Sequence, residues 1–211
     1  MKIAEPTIER LVQYHRLLER LREEGHRVVS SQQIGELLGF KASQVRKDLS
    51  YFGEIGKRGV GYHVERLCDH IVQILSSPKI WRIAMAGIGN IGTALLSNQS
   101  FRSPKLRFEA LFDIDTRKIG SEIFGVHCWD ASEIPVVMAE RKTEVLILAV
   151  PARAAQSCVD LAISSGVLRG VLALTQGSFV VPDEILVVRV DIPAELEKLL
   201  FFLKQPEVIP G

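Results

Sequence analysis

At 211 residues, with 47% hydrophobic and 24% charged side chains and a net charge of +1, the chain has the apolar content to bury a core and too little charge imbalance for a disordered polyelectrolyte. Its three cysteines stand far apart with no C-x-x-C pair, which excludes a disulfide framework or zinc ribbon and fits a reducing cytoplasm. No apolar run approaches the roughly 18 residues of a membrane span, and MKIAEPTIER lacks the apolar stretch of a signal peptide.

Ile8, Leu11, Val12, His15, Leu18 and Leu21 recur at helical spacing ahead of Gly25, so residues 7–24 are expected to form an amphipathic helix. Ser30 with Gln33 makes a capping box for a second, shorter helix that ends at Gly39. A third helix, from Ser43 to Phe52, places Val45, Leu49 and Phe52 on one side. Ser43, Arg46, Lys47, Ser50 and Tyr51 fall on the other, with Gln44 in the first turn. Hydroxyls, an amide, two cations and a phenol are the groups that bond phosphate oxygens and base edges. The stretch GEIGKRGVGY then reads as a tight β-hairpin with Lys57, Arg58 and Gly59 at its tip, and a fourth helix runs from Val64 to Ser76. Residues 41–62 hold five basic against two acidic side chains, a local cationic patch. The order matches a winged helix-turn-helix, whose third helix enters the major groove.

After a joint at Ser76-Ser77-Pro78-Lys79, WRIAMAGIGNIGTALL reads as strand, glycine turn and helix start. Gly87, Gly89 and Gly92 satisfy G-x-G-x-x-G, and the strand LRFEALFDID ends in Asp113, about twenty residues on. The spacing predicts a dinucleotide site, with the diphosphate at the helix N-terminus and Asp113 accepting from the ribose hydroxyls. A carboxylate there repels a 2′-phosphate, so NADH and NAD⁺ are favoured over their phosphorylated forms, with Arg117 and Lys118 nearby as counter-evidence. Further strands at TEVLILAVP, RGVLALT and ILVVRVD complete a doubly wound parallel sheet. The expected cofactor set is Gly87, Ile88, Gly89, Asn90, Ile91, Gly92, Asp113, Ile114, Lys118, Val150, Pro151 and Thr175. The last segment, PAELEKLLFFLKQ, is a helix apolar on most of its circumference: either a well-buried core helix or one exchanged in a homodimer. The expected divisions are a winged-helix domain at 1–77, a Rossmann domain at 78–192 and a dimerisation helix and tail at 193–211.

Two rival functions are an NAD(H)-dependent oxidoreductase and a CoA-binding module with an accessory DNA-binding domain. The first needs an acid–base group and usually a substrate domain, whereas the only histidine after residue 77 is His127, beside Cys128 and Trp129. The cysteines read as buried thiols, and no metal site is expected.

QVRKDLSYFG, GKRGVGY, GIGNIGTAL, FDID, AVPARAAQ and VDIPAELEKL, in this order and spacing, resemble the Rex family of bacterial redox-sensing transcriptional repressors. The resemblance covers nearly the whole chain. It implies a homodimer on palindromic double-stranded operator DNA that lets go when NADH replaces NAD⁺, with the C-terminal helix exchanged between subunits. It also implies that Arg16 and Asp191 couple the domains. The chain departs from the pattern at Asn98, where a tyrosine partner of Asp191 is usual, at Ala173–Gln176, and at Lys41, in the place of a capping threonine.

Overall fold

The computed structural model describes residues 3–53, 56, 60–76, 79–101 and 104–204, with nothing described of the Ser100 side chain. The chain divides into two compact units, Met1–Pro78 and Lys79–Gly211.

In the first unit, α1 (Glu5–Glu23) opens with a proline in its first turn and closes at Gly25, whose φ of 80° is the left-handed conformation that terminates helices. Its buried residues include Leu11, Tyr14, Leu17, Leu18 and Leu21, while Val12 and His15 lie half-buried on the flank of the stripe. Strand β1 (Val28–Val29) leads into α2 (Ser31–Leu38), started by the Ser30–Gln33 capping box and stopped by Gly39 in the left-handed region, as the spacing predicts. Helix α3 (Ala42–Ser50) buries Val45 and Leu49, and Lys41 stands at its N-cap without a side-chain bond to the helix. Strand β2 (Tyr62–His63) pairs antiparallel with β1, and α4 (Val64–Leu75) packs Leu67 and Ile71 into the same core as Leu11, Leu18 and Ile34. Each fully buried leucine or isoleucine contributes about 1.5–3 kcal/mol. The expected hairpin tip, Lys57, Arg58 and Gly59, lies outside the described residues.

The second unit runs β3 (Trp81–Ala86), α5 (Asn90–Ser97), β4 (Leu106–Asp113), β5 (Glu122–Ile123), β6 (Val126–Asp130), α6 (Ile134–Arg141), β7 (Val145–Leu148), α7 (Ala155–Ser164), β8 (Gly170–Ala173), β9 (Leu186–Arg189) and α8 (Ile192–Lys204). The sheet order is β5-β6-β4-β3-β7-β8-β9. All neighbours are parallel except the β5–β6 hairpin at one edge. Numbered from β3 and leaving out β5, this is the 3-2-1-4-5-6 order of dinucleotide-binding folds, which reverses direction between β3 and β7. Both faces are covered. Ile83 and Met85 point into a core with Leu96, Leu111 and Cys128, and Ala84 and Ala86 into the opposite one with Phe112, Met138 and Leu146.

The stretch 114–142, for which the sequence pattern predicts no element, holds the third parallel strand and its helix. Helix α8, expected to be apolar nearly all round, has no buried side chain in this unit.

Candidate functional site

The glycine turn is shaped by what its residues lack. Gly87 has a φ of 89°, and a Cβ there would sit 2.4 Å from the carbonyl oxygen of Ala149. A Cβ on Gly92 would meet the Gly87 oxygen at 2.3 Å, so the start of α5 can lie against the end of β3 only because that side chain is absent. A Cβ on Gly89, the N-cap of α5, would meet nothing within 4 Å. Two glycines are therefore needed for packing and the third faces open space in front of the helix N-terminus, where backbone N–H groups and the helix dipole favour an anion. Asn90 and Ile91 are exposed in the first turn.

Asp113 closes this cradle from the end of β4. Its Oδ2 accepts from the Ile88 N–H at 2.9 Å and from Lys118 Nζ at 2.8 Å. Its Oδ1 accepts from the N–H groups of Ile114 at 2.8 Å and Asp115 at 3.0 Å. Burial pushes this carboxyl up, but Lys118 and the backbone donors outweigh it and hold the group below its usual value. Four donors match the four acceptor sites of a carboxylate. A ribose hydroxyl that bonds Asp113 must therefore replace one of them, and Lys118 is the donor on a side chain that can swing away. The Ile88 side chain is buried in the core, so its part is to anchor Asp113 through its N–H. Ile114 is 81% exposed beside it. Arg117, a neighbour that could argue for a 2′-phosphate, is folded onto Asp115, with Nε 2.9 Å from Oδ1 and Nη2 2.7 Å from Oδ2.

Across the point where the sheet order reverses, a cavity of about 350 Å³ is lined by Ile91, Val150, Pro151, Leu174, Thr175 and Asp191, among others. Its wall is largely apolar. Thr175 is buried, and its Oγ1 accepts from the Gly177 N–H at 3.3 Å. Asp191 caps α8, accepting from the Ala194 N–H at 3.0 Å, so the first turn of that helix borders the cavity. Of the other expected coupling positions, Asn98 is exposed after α5, and Arg16 is exposed on α1 in the first unit.

In the first unit, Ser43, Arg46, Lys47, Ser50 and Tyr51 are all exposed along one side of α3 and its end, as expected. Arg46 Nη1 bonds Ser31 Oγ at 3.1 Å, tying α3 to α2, and the Ser50 hydroxyl donates to the Lys47 carbonyl at 2.7 Å. What the sequence reading missed lies behind this face. Asp48 has no exposed surface. It accepts from Arg10 Nε at 2.6 Å, Arg10 Nη2 at 2.8 Å, Tyr14 Oη at 2.8 Å and Gln44 Nε2 at 2.9 Å. Burial drives this carboxyl up, and the bonds from Arg10, Tyr14 and Gln44 bring it below its usual value. The Tyr14 hydroxyl, buried against a carboxylate, is raised well above the ordinary phenol range.

Cys68, Cys128 and Cys158 are buried and free, and burial raises all three thiols. His127 lies on β6, half-buried, its ring edge-on to Trp129 at 4.5 Å between centroids. Among the described residues there is no cluster of three or more metal-ligating side chains, and no helix is long and apolar enough to cross a membrane.

Two family models match the chain: "Putative DNA-binding protein N-terminus" over residues 2–50 and "CoA binding domain" over residues 78–177. Relatives named redox-sensing transcriptional repressor Rex include one from Pelotomaculum thermopropionicum, 41% identical over 100% of this chain and 99% of its own length. Another, Rex 1 of Thermotoga maritima, is 42% identical over 95% of each chain. Among solved structures, RSP in complex with beta-NAD⁺ and operator DNA matches with a TM-score of 0.89 at 30% identity, over 99% of this chain and 95% of that one. RSP in complex with beta-NADH matches with a TM-score of 0.87 at 29% identity, over 99% and 97%. With identity above 40% over 95% or more of its length to named members, the chain belongs to the Rex family of redox-sensing transcriptional repressors.

Proposed function

We propose that this repressor binds palindromic operator DNA as a homodimer in the cytoplasm and releases it on binding NADH, so that its occupancy follows the NADH/NAD⁺ ratio. The observation that carries this reading is the presence, on one chain, of an outward cationic recognition helix and a dinucleotide cradle built by Gly87, Gly92 and Asp113. RSP, similar over nearly the whole chain, is the subject of structures with NAD⁺ and operator DNA and with NADH. In this reading residues 1–77 read DNA, 78–192 hold the cofactor and 193–211 supply the dimer contact. Gln44, Arg46, Lys47 and Tyr51 contact the groove and its phosphates together with Ser43 and Ser50, and the segment 57–59 acts as the wing.

The residues around the cavity supply the selectivity. Oxidised nicotinamide carries a positive charge and the reduced ring does not, so the apolar wall at Val150 and Pro151 disfavours the oxidised form by desolvation. Asp113 at the end of β4 disfavours a 2′-phosphate, and Arg117, which could have bound one, is held on Asp115. Helix α8 exposes Leu196, Leu199, Leu200 and Leu203, an apolar face that a second copy would cover. Because α8 begins at the cavity wall, the dimer contact and the cofactor are mechanically linked. A change there shifts the two recognition helices off the ~34 Å spacing of successive major grooves.

The test is a titration of a labelled palindromic duplex at fixed salt, alone and with NADH, NAD⁺, NADPH or CoA. NADH should weaken binding by roughly 5- to 150-fold, and the duplex should weaken NADH binding by the same factor. Equal affinity for the duplex in every arm overturns the switch. Lys47→Ala should lower the salt dependence by about one unit of slope and leave NADH binding unchanged.

A further inference from the structure

Asp48 is unusual for a recognition-helix residue: it is wholly buried, carries charge and cannot touch DNA. Its partners explain its placement. Arg10 and Tyr14 come from α1, and Gln44 stands one turn earlier on α3 itself. With Arg10 on both of its oxygens, Asp48 is held as a carboxylate, and a carboxylate only accepts hydrogen bonds. The Gln44 amide therefore has one possible orientation: its nitrogen faces Asp48, and its oxygen faces away.

That orientation leaves a defined edge. One N–H of Gln44 is committed to Asp48 Oδ1, while Oε1 and the second N–H have no protein partner among the described residues. Gln44 is half-buried in the first turn of α3, the part of a recognition helix that meets base edges. An acceptor oxygen beside a donor N–H is the complement of the major-groove edge of adenine, which offers the N6 amino group beside the N7 acceptor. An amide free to flip would present either order and lose that discrimination.

We propose that Asp48, clamped by Arg10 and Tyr14, is a positioning residue for DNA readout: it fixes the Gln44 amide so that Gln44 reads one adenine in each operator half-site. The inference rests on the reading of this chain as an operator-binding repressor. Asp48 makes no contact with DNA and acts only through Gln44 and through the rotation of α3 on α1. The alternative in which Gln44 bonds a phosphate predicts a loss of affinity common to all sequences.

The experiment measures competition by a palindromic duplex carrying every single-base change, for the full-length protein at one salt concentration. Wild type should show a half-site position where replacing adenine weakens binding by about 5- to 150-fold. Gln44→Ala, a substitution compatible with the helix, should flatten preference at that position and leave the others intact. Asp48→Asn, close in shape but able to donate, should do the same, with thermal melting confirming the fold. Should Asp48→Asn fail to fold, Arg10→Lys, which keeps the charge but cannot hold both oxygens, should weaken the same preference. The proposal is overturned if Gln44→Ala keeps the adenine preference or loses affinity uniformly, or if folded Asp48→Asn or Arg10→Lys reads the bases as wild type does. If wild type binds no palindrome above scrambled DNA, it is the operator-binding reading that fails, and this inference with it.

Discussion

Asp48 and Asp113 are two carboxylates with four donors each, one in either unit, and they are fixed in opposite ways. Asp48 is satisfied entirely by side chains, three of its four bonds coming from a helix more than thirty residues upstream. Asp113 is satisfied by three backbone N–H groups and one lysine, all but one of them within five residues. The first is a tertiary lock between helices, which depends on the Arg10 and Tyr14 side chains of α1. The second is a local turn, whose backbone donors survive most substitutions while Lys118 can be exchanged for a ligand.

Breaking the lock should have the largest effect. Asp48→Ala leaves the Arg10 guanidinium and the Tyr14 hydroxyl without their acceptor in a buried site, a loss of about 3–5 kcal/mol in denaturant unfolding of the first unit. Gly92→Ala comes next, since its Cβ would lie 2.3 Å from the Gly87 oxygen. A cost of about 1–3 kcal/mol is expected, with loss of NADH binding in a fluorescence titration. Asp113→Asn should cost about 1–2 kcal/mol, because its amide nitrogen would face N–H donors on the side where a carboxylate oxygen accepts them, and should narrow the preference for NADH over NADPH.

A pH series sharpens the comparison. Both carboxyls titrate below the unfolded value of about 3.9, so their stabilisation is complete above that pH and is lost as the pH falls through the folded-state values. Acid unfolding should be less steep in either neutral variant, and the first unit's share should vanish in Asp48→Asn alone. The smallest effect on stability belongs to Gly89→Ala, under about 1 kcal/mol at an N-cap position with open space around it. If Gly89 faces the diphosphate, NADH binding should nevertheless weaken; unchanged NADH affinity would remove Gly89 from the cradle.

The same contrast governs what could be read from the sequence. Local devices were legible: the Ser30–Gln33 box, Gly39 as a stop, and the spacing from Gly87 to Asp113 all act within a few residues or one βαβ unit. In the sequence Asp48 shows only as an acid inside a basic stretch, because its burial depends on Arg10 and Tyr14, and periodicity within α3 carries no trace of them. Helix α1 was placed correctly, but its stripe centres on Tyr14 and Leu17, where a polar hydroxyl obscured the pattern. The β5–β6 hairpin and α6 were missed altogether. The two-residue turn is Phe124-Gly125, with positive φ of 51° and 79°, but Phe-Gly is not the Asn-Gly or Asp-Gly pair that announces such a turn in a sequence. The strand that follows, VHCWD, mixes polar and apolar residues because it is the last parallel strand before the edge and is only partly covered.

The burial of Cys68, Cys128 and Cys158 has a consequence for what kind of oxidation this repressor can register. Thiolate, the form that attacks peroxides and electrophiles, is disfavoured at all three positions, and all three are buried. Alkylating reagents and hydrogen peroxide should both react slowly with these three thiols in the folded protein. In the function proposed above, redox state reaches the repressor as metabolic electron supply carried by a diffusible dinucleotide, not as direct attack on these thiols.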